Sequence, residues 1–225
     1  MATYKVINGT SVVNYAGNYP GAVDGELWYD STNVAFKYQY VGAGAWASGG
    51  DLNTGRSSAS SQNIGSAPHS ALAAGNGAPP ASGITELYNG SAWTEVNNLN
   101  TVRYGAAGAG TTTAGLAFGG EDYPASSPSY KNSTETWNGT NWTEVNDLNN
   151  GRTYLAGCGT NTAGLAFGGS PAPTARTETW NGTNWTALND MNTGRRELGG
   201  AGTTNPAAIS FGVYPSPVLT TLVSE

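Results

Sequence analysis

Glutamate and arginine recur at matched places along this chain. Arg56, Arg103, Arg152 and Arg195 follow one another at intervals of 47, 49 and 43 residues, and Glu86, Glu135 and Glu178 each stand seven residues before a tryptophan. A geometry that offers one of these arginines a carboxylate offers it to all, so the spacing predicts a ladder of Arg–Glu pairs made within or between repeats. Catalytic groups are not ordinarily copied into every repeat, so the ladder reads as structural pairing. Trp137 and Trp180, with Tyr88 in the equivalent place, have the flat faces that stack on sugar rings. Every repeat also needs a large apolar plug, and packing is the preferred reading for these three. Residues outside the repeat are the better ligand candidates. The insertion Glu121–Lys131, E-D-Y-P-A-S-S-P-S-Y-K, carries Asp122, Tyr123, Tyr130 and Lys131. Loops held on rigid scaffolds are where recognition concentrates, and the alternative for this one is a solvated loop with no partner. The adjacent Glu121 and Asp122 lack the further spaced oxygens of a calcium loop.

Other chemistry finds little support. Cys158 is the single cysteine and His69 the single histidine, which leaves no intrachain disulfide and no His-rich metal cluster. No G-x-S-x-G, P-loop or G-x-G-x-x-G stands in a usable context, and no pair of carboxylates falls outside the repeats in a cleft pattern. The expectation is a protein without catalytic residues, metal or cofactor. Nine Lys and Arg against fifteen Asp and Glu give a net charge of −6 with no basic run, which disfavours nucleic acid and anionic membrane surfaces as partners. The first residues lack the apolar core of a signal peptide, and no stretch is long and apolar enough to span a bilayer. The N-x-S/T sequons at Asn89, Asn138, Asn141, Asn181 and Asn184 then read as turn chemistry.

These residues must be positioned by short strands. Charged residues make up 11% of the 225-residue chain and hydrophobic ones 38%, while 33 glycines suit tight turns and thin, closely packed sheets rather than helices. Trp46, Trp93, Trp142 and Trp185 each precede Leu52, Leu99, Leu148 and Met191 by six residues, and each of those precedes a repeat arginine by four. Each repeat continues with a small-residue strand and then a second strand, T-A-G-L-A-F-G-G at Thr113–Gly120 and Thr162–Gly169. A third strand, T-E-T-W, leads through the turn N-G-T-N to a fourth that carries the second Trp; Asn-Gly between apolar runs is a strong hairpin signal. Repeats begin near residues 51, 98, 147 and 190. Four short antiparallel strands in 40 to 50 residues are the period of a β-propeller blade. Ahead of them, residues 1–24 read as an extended arm or one short hairpin, and residues 25–45 as a hairpin around Asp30-Ser31-Thr32-Asn33.

Paired glycines closing strand two at Gly119-Gly120 and Gly168-Gly169, with an aromatic in strand three and a Trp in strand four, resemble kelch and galactose-oxidase-like propellers over about residues 46–213. The pattern departs in the first copy, where Ala73-Ala74-Gly75 replaces F-G-G, and in the last, where Val213 replaces the second glycine. The resemblance implies an all-β fold of about four four-stranded blades. Because the last repeat reaches only strand three, at Val218–Ser224, the orphan strand around Trp46 is expected to complete a shared closing blade, which would protect two sheet edges. The hairpin at 26–40 could instead supply strand three as well, and two or three chains sharing open edges could make a larger ring. A copper site of the galactose-oxidase kind would need His, Tyr and Cys ligands that His69 and Cys158 alone cannot assemble.

The segment G-E-L-W-Y-D-S-T-N with F-K-Y behind it, followed by near-identical Gly, Thr and Asn-rich repeats, resembles virion structural proteins of tailed bacteriophages. That resemblance implies a non-enzymatic tail-fibre or spike-like protein of the phage particle surface. Its propeller would bind a host-surface glycan, its residues 1–24 would dock on other virion proteins, and it would form a homo-oligomer. A capsid decoration or fibre element without a ligand is the alternative, and a polysaccharide-acting enzyme the remote one.

Overall fold

The computed structural model describes residues 3–7, 10–16, 27–38, 49–56, 64–65, 70–76, 82–122, 129–204 and 207–212. Every regular element among them is a strand. The chain divides into two compact units, Met1–Ser48 and Gly49–Glu225.

The first unit is one small sheet. Strands β1 (Thr3–Ile7), β2 (Thr10–Tyr15), β3 (Leu27–Asp30) and β4 (Ala35–Tyr38) lie side by side in chain order. β1 and β2 pair antiparallel, as do β3 and β4, while β2 and β3 run parallel. The turn between β3 and β4 is built on Asp30, which is buried. Its Oδ1 accepts the Thr32 and Asn33 amides at 2.9 and 3.2 Å, and its Oδ2 accepts Asn33 Nδ2 at 2.7 Å. An Asp that satisfies turn amides in this way fixes the hairpin locally. The arm expected at 1–24 and the hairpin expected at 25–45 are thus joined, because the parallel β2–β3 pairing crosses the boundary between them.

The second unit holds the repeats. Its strands are β5 (Ala71–Asn76), β6 (Ser82–Tyr88), β7 (Trp93–Val96), β8 (Ala107–Thr111), β9 (Ala114–Phe118), β10 (Glu121–Asp122), β11 (Ser129–Tyr130), β12 (Thr134–Trp137) and β13 (Trp142–Val145). They continue with β14 (Ala156–Gly159), β15 (Gly164–Phe167), β16 (Thr177–Trp180), β17 (Trp185–Ala187), β18 (Gly199–Thr204) and β19 (Ala207–Phe211). The second and third repeats are four-stranded antiparallel meanders, β8-β9-β12-β13 and β14-β15-β16-β17. The first repeat shows β5-β6-β7, with the Leu72 amide donating to the Ile64 carbonyl where a further strand belongs, and the fourth shows β18-β19. Trp46 and the Val218–Ser224 stretch, on which the shared closing blade depended, lie outside the described residues, as do Tyr123, His69 and Val213.

Register corrects one alignment. Ala73 faces Glu86 as Ala117 faces Glu135, so Ala74-Gly75-Asn76, one residue later than expected, stands where the other repeats have F-G-G. The glycine shared by all copies is therefore Gly75, Gly119, Gly168 and Gly212. Its carbonyl accepts from the repeat arginine in each case: Arg56, Arg103, Arg152 and Arg195.

Burial comes from packing one repeat on the next. Leu116 and Phe118 of the second repeat pack with Trp180, Trp185 and Leu155 of the third, and Leu72 and Ala74 of the first pack with Trp137 and Trp142 of the second. The Phe118 and Trp185 rings meet edge-on with centroids 4.8 Å apart. Burying each such side chain contributes about 1.5–3 kcal/mol. Strand-one glycines let the sheets approach: a Cβ on Gly157 would fall 2.4 Å from the Phe118 ring and 2.9 Å from the Gly108 carbonyl.

Candidate functional site

The repeated glutamates sit at the centre of a polar corner. Strand three places Glu135 on its inner face, and the preceding loop wraps that carboxylate. Oε2 accepts the Asn100 amide at 2.8 Å and Asn100 Nδ2 at 2.9 Å, while Oε1 accepts the Thr101 amide at 3.1 Å and Arg103 Nη2 at 2.8 Å. Glu178 repeats this with the Asn149 amide and Nδ2, and with Arg152 Nη2 at 2.9 Å. Glu86 takes the Asn53 and Thr54 amides and pairs with Arg56. All three pairs form within one repeat, and all six side chains are buried. Each Arg also feeds backbone carbonyls through Nη1, as Arg152 does to Arg176 at 2.8 Å, and the Asn reaches the carbonyl of the strand-four Trp, as Asn100 does to Trp142 at 3.0 Å.

The electrostatics follow from that packing. Burial lowers the pKa of Arg103 and is opposed chiefly by the charge of Glu135; it lowers Arg152 likewise against Glu178. Both guanidinium groups remain cationic. Burial alone would raise Glu86, but bonds from Arg56, Asn53 and Thr54 and the Arg56 charge outweigh it and hold the carboxyl below the usual range. A carboxylate satisfied by amides and a guanidinium is a poor proton acceptor. The corner clamps a loop, with both carboxylate oxygens engaged, while the buried Nε atoms of Arg56 and Arg152 have no hydrogen-bond partner.

Tryptophan and asparagine are committed in the same way. Trp137 and Trp180 are each 1% exposed, and their indole N–H groups donate to the Thr112 and Asn161 carbonyls at 2.9 and 3.0 Å. They are plugs, with no face left for a sugar. Tyr88 is half-buried against Trp93, ring centroids 5.1 Å apart. The sequon residues Asn89, Asn138 and Asn181 accept amides of their own turns through Oδ1. Asn97 and Asn146 tie successive repeats, donating to the Thr140 and Thr183 carbonyls at 3.0 Å each.

The non-repeated loop behaves differently. Its two ends pair as the short β10–β11 hairpin, Glu121 opposite Tyr130 and Asp122 opposite Ser129. Lys131 Nζ lies 2.8 Å from Asp122 Oδ2, both part-exposed, and hydrogen bonding to Lys131 lowers the Asp122 pKa. Of the four sequence candidates, Asp122 and Lys131 are brought into contact, while Tyr130 stands opposite Glu121 in the register. Tyr130 is half-buried. Glu121, opposite Tyr130, is a buried carboxylate hydrogen-bonded by Tyr104; burial first, and this bond second, push the Tyr104 pKa well above its ordinary value. Tyr104 stacks edge-on with Tyr154, centroids 6.2 Å apart. Sequence reasoning missed this Tyr104–Glu121–Tyr154 group, because neither tyrosine belongs to the repeat pattern.

Equivalent residues of all four repeats meet at one cavity of about 420 Å³. Gly65, Gly110, Gly159 and Gly202 line it together with Thr111, Thr160, Thr203 and Cys158. Cys158 occupies the strand position of Ala109, and burial pushes its thiol up to about 11, so it is a neutral packing residue at ordinary pH. Among the described residues no three His, Cys, Asp or Glu converge as a metal site, and no helix is long and apolar enough to cross a membrane. No family model matches the chain, and no curated protein matches it.

Proposed function

We propose that this is a non-enzymatic virion structural protein of the tail-fibre or spike kind, whose kelch-like repeats form a small propeller presenting a recognition hairpin. Four repeats surround the axis, and the closing blade is shared between the Trp46 strand and the C-terminal strands. One cavity lined by the same glycine from each of four repeats supports the ring. The functional reading rests on one observation. The repeated Glu carboxylates, Arg Nη groups, Asn amides and Trp indoles are spent on internal hydrogen bonds, whereas Asp122 and Lys131, outside the repeat pattern, form a part-exposed pair. Tyr130, Asp122 and Lys131 suit a host-surface glycan, with a planar face and both a donor and acceptors. Residues 1–24 attach the protein to the particle.

The test uses an array of bacterial lipopolysaccharides and capsular polysaccharides. Saturable binding that falls about tenfold in Tyr130→Ala supports the reading, and equal binding by both proteins overturns it. Removing residues 1–24 should abolish incorporation into particles while leaving the repeats folded. The second reading, a decoration or fibre element without a ligand, is favoured by the Asp122–Lys131 pair, since each neutralises the other.

A further inference from the structure

Glu86, Glu121, Glu135 and Glu178 are the buried glutamates among the described residues. Three of them hold a repeat arginine. Glu121 is the exception: among the described residues no ion pair includes it, and the side chain that bonds it is the neutral Tyr104 phenol. Its neighbours across the sheet are aromatic. Tyr104 and Glu121 exchange backbone hydrogen bonds at 3.0 and 2.9 Å, and Tyr130 stands opposite Glu121 on the other side. Residues directly opposed on neighbouring strands send their side chains to one face about 5 Å apart, so Tyr104, Glu121 and Tyr130 form a row. Asp122 and Lys131, one residue along, take the other face, where they pair at 2.8 Å. That leaves the row without the hairpin's lysine. The third repeat has the same frame with other contents. Thr153 and Ser170 bridge as Tyr104 and Glu121 do. Pro173 stands where Tyr130 does, since a Cβ on Gly194 would meet the Pro173 carbonyl as one on Gly151 would meet that of Tyr130. Threonine, serine and proline suffice to build the frame, so folding does not ask for two tyrosines and an acid. Tyr154 adds a third ring edge-on to Tyr104, held at φ +53° where the second repeat has Gly105 at +63°.

We infer that this row binds an alkylammonium group, with Glu121 as its anion and the Tyr104 and Tyr130 rings beside it as cation–π faces. The inference deepens the glycan reading above and rests on it for the molecule that carries the ammonium. A buried carboxylate without a cation is unfavourable, and a ligand that brings the cation removes the imbalance. Tyrosine faces attract a cation within about 6 Å of the ring centroid, and a net charge of −6 favours the approach of cations over anions. Tyr104, Tyr130 and Tyr154 are all half-buried, so each keeps accessible surface. A neutral sugar would leave the Glu121 charge uncompensated, and an anionic one would be repelled. Two glycan groups have the required chemistry: the free amine of a de-N-acetylated sugar and a choline substituent.

The test is calorimetric titration of the full chain, in physiological salt, with two pairs of probes. Glucosamine oligomers are set against their N-acetylated counterparts, and choline against its neutral carbon isostere, dimethylbutanol. The charged member of at least one pair should bind about tenfold tighter than the neutral one, and Glu121→Gln should remove about that factor. Glu121→Gln keeps the shape and can still accept from Tyr104, and its melt is read alongside. The preference for charge is read in the wild type, so the test stands even where Glu121→Gln does not fold. A response in the glucosamine pair identifies the amine, and one in the choline pair the quaternary ammonium. Equal binding of charged and neutral members, lost in Tyr130→Ala, overturns the ammonium assignment and leaves the glycan reading in place. Ammonium binding that Glu121→Gln leaves unchanged puts the cation elsewhere and overturns the site. No binding of any probe overturns this inference alone when the polysaccharide array responds, and both readings when it does not.

Discussion

The second and fourth repeats begin alike and end in opposite environments. Leu116 and Phe118 on β9 are 0% exposed, whereas Ile209 and Phe211, at the same register on β19, are 43% and 47% exposed. The strands are built from the same small residues, and each runs antiparallel to its strand one. What differs is the neighbour: Trp180 and Trp185 lie over Phe118 and Leu116, and no described residue covers Ile209 and Phe211 to that extent. Burial here is a property of the following repeat. A strand cannot supply it alone, which is the general condition of repeat architectures.

The largest effect that would break the comparison is at the polar corner. Replacing Arg152 with Met leaves Glu178 buried without its cation, so it should cost about 3–5 kcal/mol in a denaturant melt; an unchanged melt would show that the ladder is ornamental. Phe118→Ala should cost about 3–5 kcal/mol through its cavity, and Phe211→Ala less than about 1 kcal/mol because half of that ring already meets water. Equal costs would mean that Phe211 is covered in solution. The smallest effect belongs to the hairpin. Lys131 holds Asp122 below its ordinary pKa, so the folded value lies beneath the unfolded one. The stabilisation is present above about pH 4 and is lost as pH falls through the lowered value. Both groups are part-exposed, so Lys131→Ala should cost less than about 1 kcal/mol and flatten the acid limb of the stability curve.

Sequence alone determined the all-β class, the period, and that the repeated arginines and glutamates pair; that Arg56, Arg103 and Arg152 pair with Glu86, Glu135 and Glu178 of their own repeats came from the fold. Class, period and the fact of pairing each depend on local spacing, and a pattern written several times over reports its own geometry. The turn role of the sequon asparagines was legible for the same reason, since an Asn side chain bonds amides two or three residues away. Tertiary structure decided the rest. The parallel pairing of β2 with β3 joins segments that no local rule connects. The Tyr104–Glu121–Tyr154 group and the convergence of four glycines on one cavity bring together residues tens of positions apart. One-residue alignment at Ala74-Gly75-Asn76 came from strand register, because alanines flanking a glycine look the same in either frame. Side chains that touch across repeats leave no trace in their own segment, and only the approach of two sheets discloses them.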